Sequence, residues 1–299
     1  MPSYTEQIIS ASADIRRRAE GEFDRIVDKA ADSLDAFNRS VDPIAGAPTD
    51  PALQAEVDEL LRPALARNIE HVRAQFAEND EYAHVQDGLP AELIDRIRRE
   101  VIVGHASRSV WPWHRAAGSI GYRRIQVEAP VTAAVYRSAV MRSYVSALSG
   151  KPIHCRRDDD DHACTFYVYS RPGDQMAFHY DVCGCEDGAS YSLIIGVTND
   201  CSQRLLVELH RGDPTRPQRS LQISTTPGTL ITFSGSKLWH GVSKLGRNEL
   251  RVTLGLAYVT NDRQPPMRRF TKVFADTMFH FGIGGLLKRA PWARGSTPA

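Results

Sequence analysis

No stretch of the 299-residue chain approaches the roughly 20 consecutive apolar residues of a membrane-spanning helix, so no membrane partner is expected. Neither sign of charge is in excess. Lys and Arg number 37 against 36 Asp and Glu, a net +1, so no overall field draws the chain to nucleic acid or an anionic surface. The clusters Arg16-Arg17-Arg18 and Arg268-Arg269 read as solvated faces. Five cysteines (Cys155, Cys164, Cys183, Cys185, Cys201) are too few and odd in number for a disulfide-framed secreted chain. Cys183 and Cys185 lack the two further soft ligands that a second metal site would want, and read as reduced, packed thiols. The opening residues show no basic start followed by an apolar run, so no secretory leader is read and the cytoplasm is the expected compartment. Internal repeats and low-complexity tracts are missing. The acidic run Asp158–Asp161 lacks the spacing and glycine of a calcium loop and reads as a solvated turn.

What remains is an ordinary globular composition, 42% hydrophobic and 24% charged, enough for a sizeable core. The first part is helical in pattern. Apolar residues recur at helical spacing over residues 5–38, and a turn-rich break follows at 42–48. Asp50 is placed as an N-cap with Pro51 in the first helical position, opening a helix through Val72. Further helices are expected from Pro90 to about Val103 and from Ala133 to Leu148, the latter ending at Gly150. After Gly150 the pattern changes to short β-runs: Ile153–Arg156, Cys164–Tyr169, Tyr191–Thr198, Arg204–Leu209, Leu221–Ile223, Thr229–Phe233 and Arg251–Val259. Many short strands suggest a sandwich or barrel, and helices first with strands second suggest an α+β arrangement. The expected organisation is a helical support region over residues 1–110 and a catalytic core over 111–299, with a C-terminal helix from about Arg268 to Lys288.

Chemistry concentrates in Tyr169-Ser-Arg-Pro-Gly-Asp-Gln-Met-Ala-Phe-His179-Tyr-Asp181. Residues two apart on an extended chain share a face, so His179 and Asp181 can point together into a barrel. His240 follows the β-run Thr229–Phe233, and Arg251 opens another run eleven residues later. Two imidazoles and one carboxylate on one side of a metal leave the other positions open, an arrangement suited to iron(II). Taken alone, a His-x-Asp pair is a weak signal, equally met by a surface histidine and a turn aspartate. Trp111, Trp113, His114, Arg123, Arg124, Arg156, Arg157 and Arg211 could line the mouth or could be structural. Trp239, beside His240, reads as a packing residue.

In combination, Tyr169, Gly173, His179, Asp181, Gly228, Leu230, Phe233, His240 and Arg251 stand in the order that resembles the iron(II)/2-oxoglutarate-dependent dioxygenases, in their prolyl-4-hydroxylase-like branch. The resemblance covers about residues 150–262. It implies a double-stranded β-helix, a jelly-roll or cupin-like core, here braced by the N-terminal helices. It implies iron(II) held by His179, Asp181 and His240, 2-oxoglutarate as co-substrate with Arg251 on its distal carboxylate, and dioxygen as oxidant, with ascorbate as a stimulant. Tyr169 falls where the family often places a hydroxyl on the same carboxylate, and Thr253 could share the face of Arg251. Barrel packing is the alternative for both. Related halogenases replace the carboxylate ligand by a small residue, so Asp181 favours hydroxylation, while desaturation, cyclisation and epoxidation stay open.

The expected partner is a small-molecule substrate such as an amino acid or natural-product intermediate. A homodimer could form through the apolar stripes of the N-terminal helices. Three other readings stand beside this one: a protein or peptide hydroxylase, a non-catalytic helical interaction protein with a relic barrel, and a cupin-type isomerase or zinc enzyme.

Overall fold

The computed structural model describes residues 21–34, 36, 49–67, 69–111, 114–181, 188–261, 263, 265–267, 269–271 and 274. The expectations for residues 5–20, the 42–48 break, Cys183, Cys185, Trp113 and most of the C-terminal helix lie outside them. No helix among the described residues is long and apolar enough to cross a membrane.

Residues 21–34 are helical, and α1 (Pro51–Ala66) and α2 (Ile69–Glu78) follow. Asp50 caps α1 as expected, its carboxylate accepting from the Ala52 N–H at 2.9 Å, with Pro51 beginning the helix. The single helix expected through Val72 is divided at Arg67. After β1 (Tyr82–Val85) comes α3 (Ala91–Glu100), shorter than expected because the chain becomes extended at Val101 and Ile102. The hairpin β2 (Ser107–Trp111) and β3 (Arg115–Ile120) leads to α4 (Tyr122–Glu128), α5 (Pro130–Arg137) and α6 (Ala139–Ser149). One helix was expected across α5 and α6. Ser138 interrupts it: its backbone leaves the helical region, and its hydroxyl caps α6 by accepting from the Met141 N–H. Gly150 closes α6 in the left-handed conformation, φ +69°.

The remaining strands are β4 (His154–Cys155), β5 (Cys164–Tyr169), β6 (Gln175–His179), β7 (Ser190–Asp200), β8 (Leu205–Leu209), β9 (Arg219–Ile223), β10 (Leu230–Ser234), β11 (Trp239–Val242) and β12 (Leu250–Val259). The strand pairs are antiparallel, in the order β1-β10-β7-β12-β5-β3-β6-β11-β8-β9, with β2 beside β3 and β4 beside β12. The sheet curls back on itself. β6 and β7 are four steps apart in that order, yet the hydroxyl of Ser192 on β7 lies 2.6 Å from the carboxylate of Asp181, just past β6.

Two apolar layers result. On the outer side of β5, β7 and β12, Phe166, Leu193 and Leu254 pack with Leu61, Phe76, Ile97 and Tyr136 of the helices. On the inner side, Tyr82, Tyr169, Val207, Ile231, Phe233 and Val242 fill part of the curl. The helical stripes of α1 and α2 are thus spent on the chain's own core, through Val57, Leu61, Leu65, Val72 and Phe76. The homodimer expected through them has no support in these two helices.

The acidic turn is solvated only in part: Asp158 is exposed as expected, but its later residues are not. Asp160 and Asp161 are buried and paired with Arg156 at 3.4 Å and Arg123 at 3.7 Å. Burial lifts the Asp161 carboxyl to about 6 against the pull of Arg123. These arginines brace a loop.

Ser138 also donates to Asp58 at 2.5 Å, tying α6 to α1. Ser138→Ala loses this bond and the cap, and should lower stability by about 1–2 kcal/mol. The check is the urea midpoint at unchanged slope. Ser138→Thr should keep most of the stability.

Candidate metal centre

His179 ends β6 and His240 stands in β11, and the two strands pair with these residues directly opposite each other. The partners of an antiparallel pair share a face, so both imidazoles enter the curl. The strands approach closely at Gly241, where a Cβ would meet the Met176 carbonyl oxygen at 3.0 Å. Their ring centroids lie 4.3 Å apart. Asp181 is tied across the curl by its N–H to the Gly235 carbonyl at 2.9 Å. Gly235 is a glycine for want of room: a Cβ there would come within 2.7 Å of the Asp181 Cβ.

One ligand atom from each of His179, Asp181 and His240 lies within 4.8 Å of the others. The Nε2 atoms of His179 and His240 are 3.4 and 3.8 Å from Asp181 Oδ1. Atoms bound to one ion at about 2 Å sit about 3 Å apart at right angles and about 4 Å apart in line, so these spacings suit a shared ion. Nδ1 of His179 is 2.9 Å from the Ala177 carbonyl oxygen, and Nδ1 of His240 is 3.1 Å from that of Leu238. A carbonyl oxygen only accepts, so Nδ1 carries the proton in each neutral ring and Nε2 keeps its lone pair toward the centre. Ser192 donates to Asp181 Oδ2 at 2.6 Å, leaving Oδ1 on the histidine side.

Charges respond accordingly. Burial opposes ionisation of Asp181, but His240, His179 and the Ser192 hydroxyl outweigh it and hold the carboxyl well below the usual range. Burial also opposes protonation of His179, yet its hydrogen bond and attraction to Asp181 raise its pKa. At His240 burial prevails and the pKa falls.

Arg251 is fully buried on β12, opposite Tyr169 on β5, and its guanidinium lies over the Tyr169 ring at 5.1 Å. Its Nε donates to the Thr225 hydroxyl at 2.9 Å, while the buried Nη1 has no hydrogen-bond partner. Burial lowers its pKa, with Tyr169 offsetting part of the effect. Thr253 shares the face of Arg251, opposite Tyr167, but the hydroxyl that holds Arg251 is that of Thr225. Arg247 is exposed.

Ser192, Thr225 and Gly235 were not singled out from sequence, and nothing local marks them, since each acts across the curl. Arg115, a buried guanidinium on β3, was likewise missed. Trp239 is on the outer face, stacked with Phe178 and covered by the Arg211 guanidinium at 4.4 Å, as a packing residue would be. His114 sets its ring edge-on to His179, with centroids 5.2 Å apart.

No protein-family model matches the chain, and no curated protein does. Solved structures do share its fold. The non-haem alpha ketoglutarate dependent epimerase SnoN from nogalamycin biosynthesis superposes at TM-score 0.52 with 12% identity, over 64% of this chain and 81% of that one. A prolyl hydroxylase from Trichoplax adhaerens, in complex with a hypoxia inducible factor peptide fragment, gives 0.51 and 14% over 69% and 92%. The carbocyclase SnoK from nogalamycin biosynthesis, also alpha ketoglutarate dependent, gives 0.50 and 13% over 64% and 83%. At these identities the likeness is one of fold.

In metal-free protein, His179 should titrate above and His240 below an ordinary histidine, as followed by NMR of the imidazole protons. Asp181→Asn removes the larger influences that raise His179 and leaves its burial against the Ala177 carbonyl bond alone, so the His179 pKa should fall. An unchanged His179 titration would contradict the pairing described.

Proposed function

We propose that the chain is an iron(II)- and 2-oxoglutarate-dependent oxygenase that hydroxylates a small molecule, its curled sheet being a double-stranded β-helix. The observation that carries this reading is the convergence of His179 Nε2, His240 Nε2 and Asp181 Oδ1, with both imidazoles preset by their carbonyl bonds. Two nitrogens and one carboxylate oxygen on one side of an ion are the donor set of non-haem iron(II) with open positions. The backbone carbonyls behind the imidazoles fix ring orientation as outer partners of metal ligands do.

Arg251 supports the co-substrate half. A buried guanidinium nitrogen without a partner is costly, and a carboxylate reaching it would form a charge-assisted pair in a dry setting. Tyr169, against the same guanidinium, is the neighbouring hydroxyl in this reading, and Thr253 borders it. When bound, iron(II) and 2-oxoglutarate would supply the oxidising chemistry with dioxygen, the keto acid leaving as succinate and carbon dioxide. The chain's own task is placement. His179, Asp181 and His240 fix the ion, Ser192 holds the carboxylate in one orientation, and Phe233 packs edge-on to His240 at 4.8 Å, keeping water from that side. The small-molecule part of the reading rests on the layout: among the described residues the helices serve the chain's own core, and no separate binding module stands apart from it.

His179→Ala or His240→Ala should abolish binding of iron(II) or manganese(II) in anaerobic calorimetry, since either leaves two ligands on a weakly held ion. Undiminished affinity in either variant sinks the assignment.

Arg251→Ala should weaken 2-oxoglutarate by about 2 to 5 kcal/mol, roughly 30-fold to several thousand-fold, the usual loss for a buried charged partner. Metal affinity should hardly change. Arg251→Lys should recover part, for want of the two-pronged fork. Arg247→Ala should be nearly silent. Titration of the manganese-loaded protein with 2-oxoglutarate reads all three; a large effect at Arg247 instead would move the co-substrate site.

A further inference from the structure

Thr225 is fully buried, yet it belongs to no strand and lies in the connection between β9 and β10. The way that connection is laid explains its position. β7 carries one residue more than β12 here: Val252 stands opposite Thr198 but Thr253 opposite Gly196, so Val197 is the extra residue of a bulge. Val197 turns outward into the core shared with the helices. Gly196 and Asn199, the partners of Thr253 and Arg251, stay on the inner side. The connection crosses β7 at Gly196, where a Cβ would come within 2.0 Å of the Thr226 carbonyl oxygen and 2.5 Å of that of Thr225. It is pinned there by two backbone bonds: the Gly196 N–H donates to the Thr229 carbonyl at 3.0 Å, and the Gly228 N–H to the Gly196 carbonyl at 3.0 Å. Just before Thr225, the Ser224 hydroxyl accepts from the Asn199 side-chain amide at 3.0 Å, and Asn199 is the residue directly opposite Arg251. The chain on either side of Thr225 is thus fastened to β7, and its hydroxyl is delivered to Arg251.

What that hydroxyl does follows from the shape of a guanidinium. Its N–H groups lie in one plane and offer a carboxylate either of two edges: side-on, through Nε and one terminal nitrogen, or end-on, through both terminal nitrogens. Thr225 accepts the Nε proton at 2.9 Å and so closes the side-on edge. Buried Nη1, which belongs to the end-on edge, has no hydrogen-bond partner among the described residues. The Tyr169 ring, 5.1 Å away, covers one flat side of the group. Held at Nε and backed by the ring, the fork cannot swing without breaking a charge-assisted bond, so its direction is set before anything binds.

We propose that Thr225 is a positioning residue for the co-substrate: by holding Nε of Arg251 it turns the terminal edge of the fork to the distal carboxylate of 2-oxoglutarate, which is gripped end-on. The inference rests on the oxygenase reading above. It gives Thr225 no contact with metal or co-substrate, and its whole effect passes through Arg251.

The test is anaerobic calorimetry on the full chain loaded with manganese(II), with 2-oxoglutarate and 2-oxobutyrate as titrants. The second has the same keto-acid head and no distal carboxylate, so it makes no use of Arg251. Thr225→Val keeps the shape of the side chain and removes the hydroxyl. It should weaken 2-oxoglutarate about tenfold, the usual worth of a hydrogen bond to a charged group, and leave 2-oxobutyrate within about threefold. Thr225→Ser should recover most of the loss. On top of Arg251→Ala, Thr225→Val should add less than about threefold, since a residue acting through Arg251 then has nothing to act on. The proposal is overturned by a 2-oxoglutarate affinity within about threefold of wild type in Thr225→Val, by an equal loss for 2-oxobutyrate, by a full loss in Thr225→Ser, or by an undiminished further loss on top of Arg251→Ala. If Thr225→Val does not fold, NMR of the wild type decides, with isotope-labelled arginine and zinc(II) in place of manganese(II). Adding 2-oxoglutarate should shift the terminal N–H signals of Arg251, identified by their loss in Arg251→Lys, and leave its Nε–H nearly in place; the reverse pattern overturns the end-on grip. Wild type that takes up neither manganese(II) nor 2-oxoglutarate refutes the oxygenase reading itself, whereas wild type that binds both through Arg251 and is indifferent to Thr225→Val refutes only this step.

Discussion

The pairing of β6 with β11, in the register that sets His240 opposite His179, is the constraint on which the rest of the centre depends. Strand side chains alternate, so a slip of one residue would turn one imidazole out of the curl. The register is held from both sides. β11 also pairs with β8, where Val207 lies opposite His240 within the inner apolar layer. Gly241 lets the two backbones come together, and a shift in the ladder between His240 and Val242 absorbs the odd residue. Each imidazole then meets the carbonyl two residues before it, so strand geometry alone selects which ring nitrogen faces inward.

The second arm of the centre is set by distance across the curl. Asp181 owes its place to Gly235 and Ser192, which belong to the opposite part of the sheet. The helices contribute at one remove. By covering β5, β7 and β12 on the outside they leave the inner face of those strands free for polar residues. That inner face carries Tyr167, Tyr169, Arg251 and Thr253, a set that would be costly to bury in a purely apolar layer.

Much of this was legible in the sequence, and the part that was not has a common cause. β5, β7 and β12 announce themselves because their outward residues are continuous with the apolar core, and β10 because Ile231 and Phe233 join the inner layer. The spacing of His179, Asp181, His240 and Arg251 was readable because two-residue alternation and strand order are properties of the chain itself. β2 and β3 were missed: Arg115, Ala117 and Ser119 face the curl, so the apolar alternation that marks a strand is reversed or lost. The division at Ser138 escaped because a capping serine inside an apolar helical pattern is visible only once the two helices take different directions. Ser192, Thr225 and Gly235 could not be found at all from local pattern, because each is defined by what lies across from it.

The hydroxyl of Ser192 has a consequence for counting. By engaging Oδ2 and leaving Oδ1 toward the histidine nitrogens, it would, in the proposed reading, favour Asp181 holding an ion by a single tooth. Three single-atom donors on an octahedral ion would leave half of its corners open, and a chelating aspartate one fewer. A two-toothed keto acid and one further small reactant together need that many corners. A serine across the curl, never touching the ion, would thereby bear on how many guests the proposed centre seats at once.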